Sequence, residues 1–179
     1  MIRSIAEFLR YFDAVHRRTM RDVAALPPEA EAWRPPRGRG EASWDIPTLV
    51  GHIAGSRLYF VSAYRGEGWV SPPKPDTRRR ERWLPVLEES AAQLRAALAD
   101  TPDEWLDRRV RMIDTEGTLS GWRILMMMLE HEVHHRSQID AYAGLEGWPV
   151  PDIFGRSAEA IAARQSEQRA LWRGEQEGA

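Results

Sequence analysis

The chain has 179 residues, a formal net charge of −2 and a pI near 6.2. This length suits one domain with a hydrophobic core of its own. Because the charge balance shows no basic excess, we expect neither nucleic acid nor an anionic membrane surface as a partner. The chain lacks cysteine, which excludes thiolate metal ligands and leaves His, Asp and Glu as the strong ligands.

The N-terminal residues lack the basic-then-apolar layout of a signal peptide. No apolar stretch approaches the length of a transmembrane helix. We therefore expect a cytoplasmic protein that does not associate with membranes and acts on a small-molecule substrate.

Apolar residues at helical spacing predict four long helices. They span residues 4–26, 45–65, about 81–99 and 120–145, and a polar amphipathic helix follows over about 157–172. Ser4 and Glu7 form a candidate capping box for the first helix, and Asp45 is a candidate N-cap for the second. Residues 108–117 form the only predicted strand. The sequence therefore predicts an all-α four-helix bundle in a single domain over residues 1–179, with a C-terminal extension from about residue 156.

Three histidines stand out against this helical pattern. His131 and His135 lie about 40° apart on the fourth helix, and both fall on its apolar stripe. His134 lies at the margin of that stripe, about 60° away from His131 on the other side. His52 borders the apolar stripe of the second helix. The pattern thus predicts that three imidazoles face a shared interior.

Buried imidazoles have two explanations. A lone histidine on an apolar face is usually a hydrogen-bonded core residue, and this explanation stays open for His52. Two histidines one turn apart are harder to explain in this way, because burying several imidazoles costs desolvation free energy unless each finds a partner. A shared metal ion would be such a partner. His16 and His134 are expected to be structural residues, at the surface or behind the site.

The segment His131 to His135, HEVHH, also satisfies the H-E-x-x-H pattern of zinc peptidases, in which the glutamate acts as a base. A peptidase needs a third ligand and usually a sheet edge for an extended peptide. No histidine follows His135, and no sheet of that kind is predicted. We therefore reject a peptidase, while Glu132 remains a candidate general base. Glu132 lies on the buried side of its helix, so we expect it to accept a hydrogen bond near the site or from an arginine.

The segments around these histidines resemble the DinB/YfiT-like superfamily. The resemblance is carried by SWDI at 43–46, LVGHI at 49–53, LEHEVHHRSQI at 129–139, Tyr142 and GWPVPD at 147–152. The order and spacing of elements match up to about Gly155. Ser137 departs from the glycine usual in the family, but lies outside the histidine stripe.

The resemblance implies a left-handed, up-down-down-up four-helix bundle whose metal ligands are His52, His131 and His135. It also implies a divalent cation, Zn²⁺ first with Ni²⁺ or Fe²⁺ as alternatives, and often a homodimer. Characterised relatives are S-transferases or isomerases that use bacillithiol, mycothiol or a related small thiol.

Three functional hypotheses follow. The leading one is an S-transferase that uses an exogenous low-molecular-weight thiol as cofactor and acts on small electrophiles. The second is a metal-dependent hydrolase that uses metal-bound hydroxide, and the third is a non-catalytic metal-binding stress protein. The tryptophans at 44, 69 and 148 are candidates for the walls of a substrate pocket or for a dimer interface.

Overall fold

The computed structural model describes residues 2–36, 38–152 and 155–177, and the side chains up to Arg173. Its five α-helices are α1 (Ile5–Ala25), α2 (Ile46–Arg65), α3 (Trp83–Ala99), α4 (Gly121–Leu145) and α5 (Ala158–Glu177). Short 3₁₀ segments cover Pro28–Glu31, Gly40–Ser43, Arg80–Arg82 and Asp103–Leu106. The predicted helices are confirmed, and α5 continues past its predicted end because Gln and Glu favour the helix.

Local capping explains where α1 and α2 begin. The Ser4 hydroxyl accepts a hydrogen bond from the Glu7 amide, and the Asp45 carboxylate accepts one from the Thr48 amide. The reciprocal half of the predicted capping box differs, because the Glu7 carboxylate accepts from the Arg3 amide rather than from Ser4. Both helix starts are therefore set by the side chains that the sequence indicated.

Side-chain contacts fix the directions of the four bundle helices. The two ends of α2 contact the corresponding ends of the next helix: Thr77, ahead of α3, bonds to Pro47, and Arg65 bonds to Ala97, so α2 and α3 are parallel. Helices α1 and α4 are also parallel. Thr19 on α1 bonds to Glu132 on α4, and one turn further along both helices Asp22 pairs with Arg136.

The remaining neighbours are antiparallel. Leu26 at the end of α1 meets Arg80 at the approach to α3, while Asp13 pairs with Arg95. The predicted up-down-down-up bundle is thereby confirmed. The long connection over residues 66–80 makes the crossover that two parallel consecutive helices require.

A small hairpin interrupts the helices between α3 and α4. Strands β1 (Arg109–Arg111) and β2 (Thr118–Ser120) pair antiparallel, with Val110 opposite Leu119. The sequence predicted an extended segment at 108–117, and β2 is the partner strand that it did not identify. Gly121 follows immediately, and a Cβ there would lie 2.3 Å from the Trp105 carbonyl oxygen, so only glycine fits this approach of hairpin to bundle.

The bundle interior has two apolar clusters separated by polar residues. One cluster includes Phe8, Phe12 and Leu94, and the other includes Leu49, Trp83 and Leu87. Between them lies a buried polar group of residues, which we call the polar layer: His16, Thr19, Arg57, Ser90 and Glu132. None of the helices in the described ranges is long and apolar enough to span a membrane.

Candidate metal site

The three predicted histidines meet between α2 and α4. The ring centroids of His52, His131 and His135 lie 4.5 to 4.8 Å apart in every pair. One nitrogen of each ring lies within 4.8 Å of the other two, and the Nε2 atoms of His52 and His131 are 3.0 Å apart. The structure therefore brings together the three residues that the helical pattern selected.

This donor set fits a divalent metal ion. Zinc–nitrogen distances of about 2.0–2.1 Å place two imidazole nitrogens on one tetrahedral ion about 3.3 Å apart, close to the spacing of His52 and His131. His135 is completely buried, and its Nε2 atom forms no hydrogen bond within the described residues, although the Glu41 carboxylate lies 3.1 Å from it. Buried polar atoms without partners are rare in proteins, and an ion would give the cluster the shared partner that it lacks.

The electrostatics keep the rings neutral, which is the state in which imidazole binds a metal. Burial lowers the pKa of His131 to about 3, with His135 and His52 adding to the effect. Burial also lowers the pKa values of His52 and His135. The site is therefore free of competing protons at neutral pH.

Glu132 belongs to the polar layer. Its Oε2 accepts from Arg57 Nε at 2.9 Å, while Oε1 accepts from Arg57 Nη2 at 2.6 Å and from the Thr19 hydroxyl at 2.7 Å. Arg57 also donates to the Leu87 carbonyl oxygen at 2.7 Å and the Ser90 hydroxyl at 3.0 Å. The arginine partner predicted for Glu132 is thus Arg57.

His16 completes the polar layer instead of lying at the surface. It is 3% exposed, and its Nδ1 lies 3.1 Å from Arg57 Nη2 while its Nε2 lies 2.9 Å from Glu88. The expectation of a structural role holds, but the ring is a core element. A helical pattern cannot reveal this, since the partner arginine comes from another helix.

Glu41 approaches the site from the loop before α2 and was not identified from the sequence. Its Oε1 lies 3.1 Å from His135 Nε2 and 3.9 Å from His134 Nε2. Glu41, His134 and His135 form a second group with metal-ligand spacing. The Glu41 and His134 side chains are 53% and 69% exposed, however, so this second group is open to water.

Two side chains of α4 form hydrogen bonds that hold the loop around Glu41 next to the site. Gln138 donates to the Glu41 carbonyl oxygen at 2.9 Å, and the Tyr142 hydroxyl donates to the Ala42 carbonyl oxygen at 3.0 Å. Gln138 also places its Oε1 3.4 Å from His135 Nδ1, which orients the ring with its Nε2 towards the cluster. The i, i+3 spacing of His135 and Gln138 was the sequence signal for this contact.

A pocket of about 610 Å³ opens beside His52 and His131. Trp44, Tyr59 and Phe60 supply aromatic lining, and residues 71–75 with Thr77 also line the pocket. Of the tryptophans proposed as walls, Trp44 lines the pocket, with its ring 4.7 Å from the His52 ring. Trp69 packs behind the wall on Tyr59 and Phe60, and Trp148 packs on Trp33.

Comparison with known proteins agrees with this geometry. The family profile of the DinB family matches residues 1–170 of the chain. The chain belongs to the DinB family. The uncharacterized protein YjoA of Bacillus subtilis is 29% identical over 104 residues, which cover 57% of this chain and 67% of YjoA.

Three solved structures share the fold. A DinB-like protein from Bacillus cereus has a TM-score of 0.66 at 17% identity, covering 84% of this chain and 98% of that one. YjoA has a TM-score of 0.62 at 18% identity, covering 82% and 97%. YfiT from B. subtilis has a TM-score of 0.60 at 18% identity, covering 80% and 88%. YfiT is described as a probable metal-dependent hydrolase with an unusual four-helix bundle topology.

Proposed function

We propose that the protein is a metal-dependent enzyme that transfers a low-molecular-weight thiol to a small electrophile. His52, His131 and His135 hold a divalent cation, Zn²⁺ first, with Ni²⁺ and Fe²⁺ as alternatives that imidazole also accepts. The observation that supports this best is that the three-imidazole cluster borders a pocket of about 610 Å³. Structural zinc sites are closed by four protein ligands, whereas catalytic sites leave a position for a reactant.

Each residue of the site has a separate task. A bound divalent ion stabilises the anionic form of a thiol or a water molecule. Gln138 orients His135, and Trp44 shields His52 on the side of the loop. Glu41 is a fourth, displaceable ligand, because its carboxylate reaches His135 Nε2 at 3.1 Å yet is 53% exposed and able to withdraw.

The surroundings of Glu132 favour a thiol over water as the nucleophile. Both oxygens of this carboxylate are held by Arg57 and Thr19, so we assign Glu132 to the polar layer rather than to proton transfer. An ordinary thiol has a pKa of about 8.5 and water one of about 15.7, so a thiol needs less help from a base. Because the chain has no cysteine, the thiol comes from outside.

Hydrolysis is the second candidate, because YfiT shares the fold and is described as a probable metal-dependent hydrolase. The two reactions need different co-reactants, so one assay separates them. The zinc-loaded protein is incubated with 1-chloro-2,4-dinitrobenzene and a panel of small thiols, and in parallel with 4-nitrophenyl esters without thiol. In the first reaction a sulfur–carbon bond forms, chloride leaves and the thiol proton passes to solvent.

We expect thiol-dependent conjugation that His52→Ala abolishes and His134→Ala retains. Ester hydrolysis without thiol, lost in the same variant, would favour the hydrolase instead. Turnover in neither assay would leave the non-catalytic metal-binding protein as the better account. The homodimer and the cytoplasmic location stay predictions, which sedimentation and cell fractionation would test.

A further inference from the structure

Part of the pocket wall is a proline-rich segment, residues 71–77, which we call the strap. It lies against α2 where two glycines, one turn apart, leave room for it. A Cβ on Gly51 would lie 3.2 Å from Thr77 Oγ1, and a Cβ on Gly55 would lie 3.8 Å from Pro72 Cγ. The Thr77 hydroxyl donates to the Pro47 carbonyl oxygen at 2.7 Å, and the Trp83 indole donates to the Thr77 carbonyl oxygen at 2.8 Å. Prolines restrict φ, so the strap is a stiff, anchored wall.

Lys74 is the only lysine of the chain, and this strap carries it into the lining of the pocket. Acidic side chains near the strap are already occupied by arginines. Asp76 pairs with Arg78 at 2.7 Å, and Glu31 pairs with Arg79 at 3.1 Å. Across the described residues, no carboxylate forms an ion pair with Lys74, and none lines the pocket. Lys74, itself exposed, is therefore the one lysine or arginine among the described residues that line the pocket, and it has no ion-pair partner there.

The remaining lining limits what such a cation can bind. Trp44, Tyr59 and Phe60 offer aromatic surface, and the strap prolines offer further apolar surface. Pockets of roughly 300–1,000 Å³ hold drug-sized molecules and use a few polar groups to orient them. Lysine is a compact charge on a flexible stem that donates to carboxylate or phosphate oxygens. The complementary ligand is thus apolar over most of its surface and anionic at one end.

We propose that the substrate is an aromatic or similarly apolar small molecule with a carboxylate or phosphate that Lys74 binds. This assignment depends on the proposed function only for the reaction that the substrate undergoes. With its anionic end at Lys74, the reacting part of the molecule lies towards His52 and His131. Lys74 is a specificity-determining residue and takes no part in holding the metal ion. Neutral electrophiles of the same shape are poorer substrates.

The test uses a matched pair of ligands, 2-naphthoate and its neutral analogue 2-naphthamide. Binding of each to the zinc-loaded full-length protein is measured by isothermal titration calorimetry. Lys74→Met should weaken naphthoate binding about tenfold, the usual effect of losing one charge-assisted hydrogen bond, and change naphthamide binding less than about twofold. Lys74→Arg should recover most of the affinity. Arg10→Met is the control, because this exposed cation lies outside the pocket lining and its removal leaves the Asp76–Arg78 pair beside Lys74 intact.

Equal losses for the two ligands, no loss for naphthoate, or no naphthoate binding by the wild type would overturn the proposal. The same titrations in His52→Ala separate it from the proposed function. Suppose that His52→Ala binds no metal and has no activity, but still prefers naphthoate to naphthamide in a way that depends on Lys74. The proposed class of anionic ligand would then be supported, whichever reaction the protein catalyses. In kinetics, Lys74→Met should lower kcat/KM about tenfold for 4-chloro-3,5-dinitrobenzoate and leave it nearly unchanged for neutral 1-chloro-2,4-dinitrobenzene.

Discussion

Two buried polar clusters lie side by side on α4 and differ in one respect. Glu132, in the polar layer, has every carboxylate oxygen bonded by Arg57 or Thr19. Three residues later, the buried Nε2 atom of His135 forms no hydrogen bond within the described structure, although Glu41 Oε1 lies 3.1 Å from it. Burial of polar groups is tolerated when partners satisfy them. We therefore infer that the polar layer stabilises the fold and that the histidine cluster binds a ligand.

The largest effect should come from breaking the polar layer. Glu132→Ala leaves Arg57 buried and unpaired, and we expect the free energy of unfolding to fall by about 3–5 kcal/mol. Urea denaturation monitored by circular dichroism would measure it. Glu130→Ala is the control, since its exposed ion pair with Arg123 contributes about 0–1 kcal/mol. The double variant Arg57→Met/Glu132→Leu should lose much less than Glu132→Ala. An equal loss would mean that the pairing is not the cause.

The histidine cluster should instead gain stability from a ligand. At a Zn²⁺ concentration of about 100 times the dissociation constant, the wild type should gain about 2.7 kcal/mol, because the ion binds only the folded state. Differential scanning calorimetry with and without chelator would show this as a rise in Tm. His135→Ala should abolish the rise, and His134→Ala should keep it. If both variants lose it equally, the exposed group with Glu41 and His134 holds the ion.

Asp22 and Arg136 form an intermediate case beside the histidines, since Arg136 directly follows His135 in the chain. Their ion pair is 3.3 Å long, but neither Asp22 oxygen has a hydrogen bond within the described residues. Burial, reinforced by Asp140, raises the pKa of Asp22 to about 6. The folded state therefore binds a proton at Asp22 more tightly than the unfolded state does. The charged carboxylate lowers the free energy of unfolding above pH 6, and this penalty decreases as the pH falls through 6.

Asp22→Asn removes this titration. Its stability relative to the wild type should therefore fall by about 1–3 kcal/mol between pH 8 and pH 5, as the wild type takes up the proton. Urea denaturation at both pH values gives the difference. Asp140→Asn should show a trend of the same sign, because burial also raises the pKa of Asp140 and this carboxylate contributes to the raised pKa of Asp22. A difference that is constant with pH would contradict the raised pKa.

The smallest expected effect concerns the loop carboxylate. Glu41→Gln should weaken Zn²⁺ affinity about tenfold, or about 1.4 kcal/mol, because a neutral amide is a poorer ligand while the backbone contacts to Gln138 and Tyr142 remain. Competition with a chromogenic chelator would measure it. Glu130→Gln serves as control, because this exposed residue directly precedes His131 in the chain. An unchanged affinity in Glu41→Gln would show that Glu41 is not part of the site.

The sequence was sufficient for the parts of the molecule that follow helical periodicity. The helix bounds, the Ser4 and Asp45 caps and the convergence of His52 with His131 and His135 all follow from residue spacing along single helices. The sequence did not predict the hydrogen bond from Gln138 to the Glu41 carbonyl oxygen or the packing of the strap on Gly51, since both join segments far apart in the chain. A helical pattern also shows that Glu132 is buried without showing whether Arg57 satisfies it.

The central claim is that three histidines bind one metal ion, and a titration with Co²⁺ tests it most directly. Visible absorption reports the coordination sphere of cobalt, and equilibrium dialysis gives the stoichiometry. The wild type should bind one Co²⁺ per chain at low micromolar concentration or tighter, with His134→Ala unchanged and His52→Ala, His131→Ala and His135→Ala each deficient. No binding by the wild type, or full binding by His52→Ala, would contradict the account.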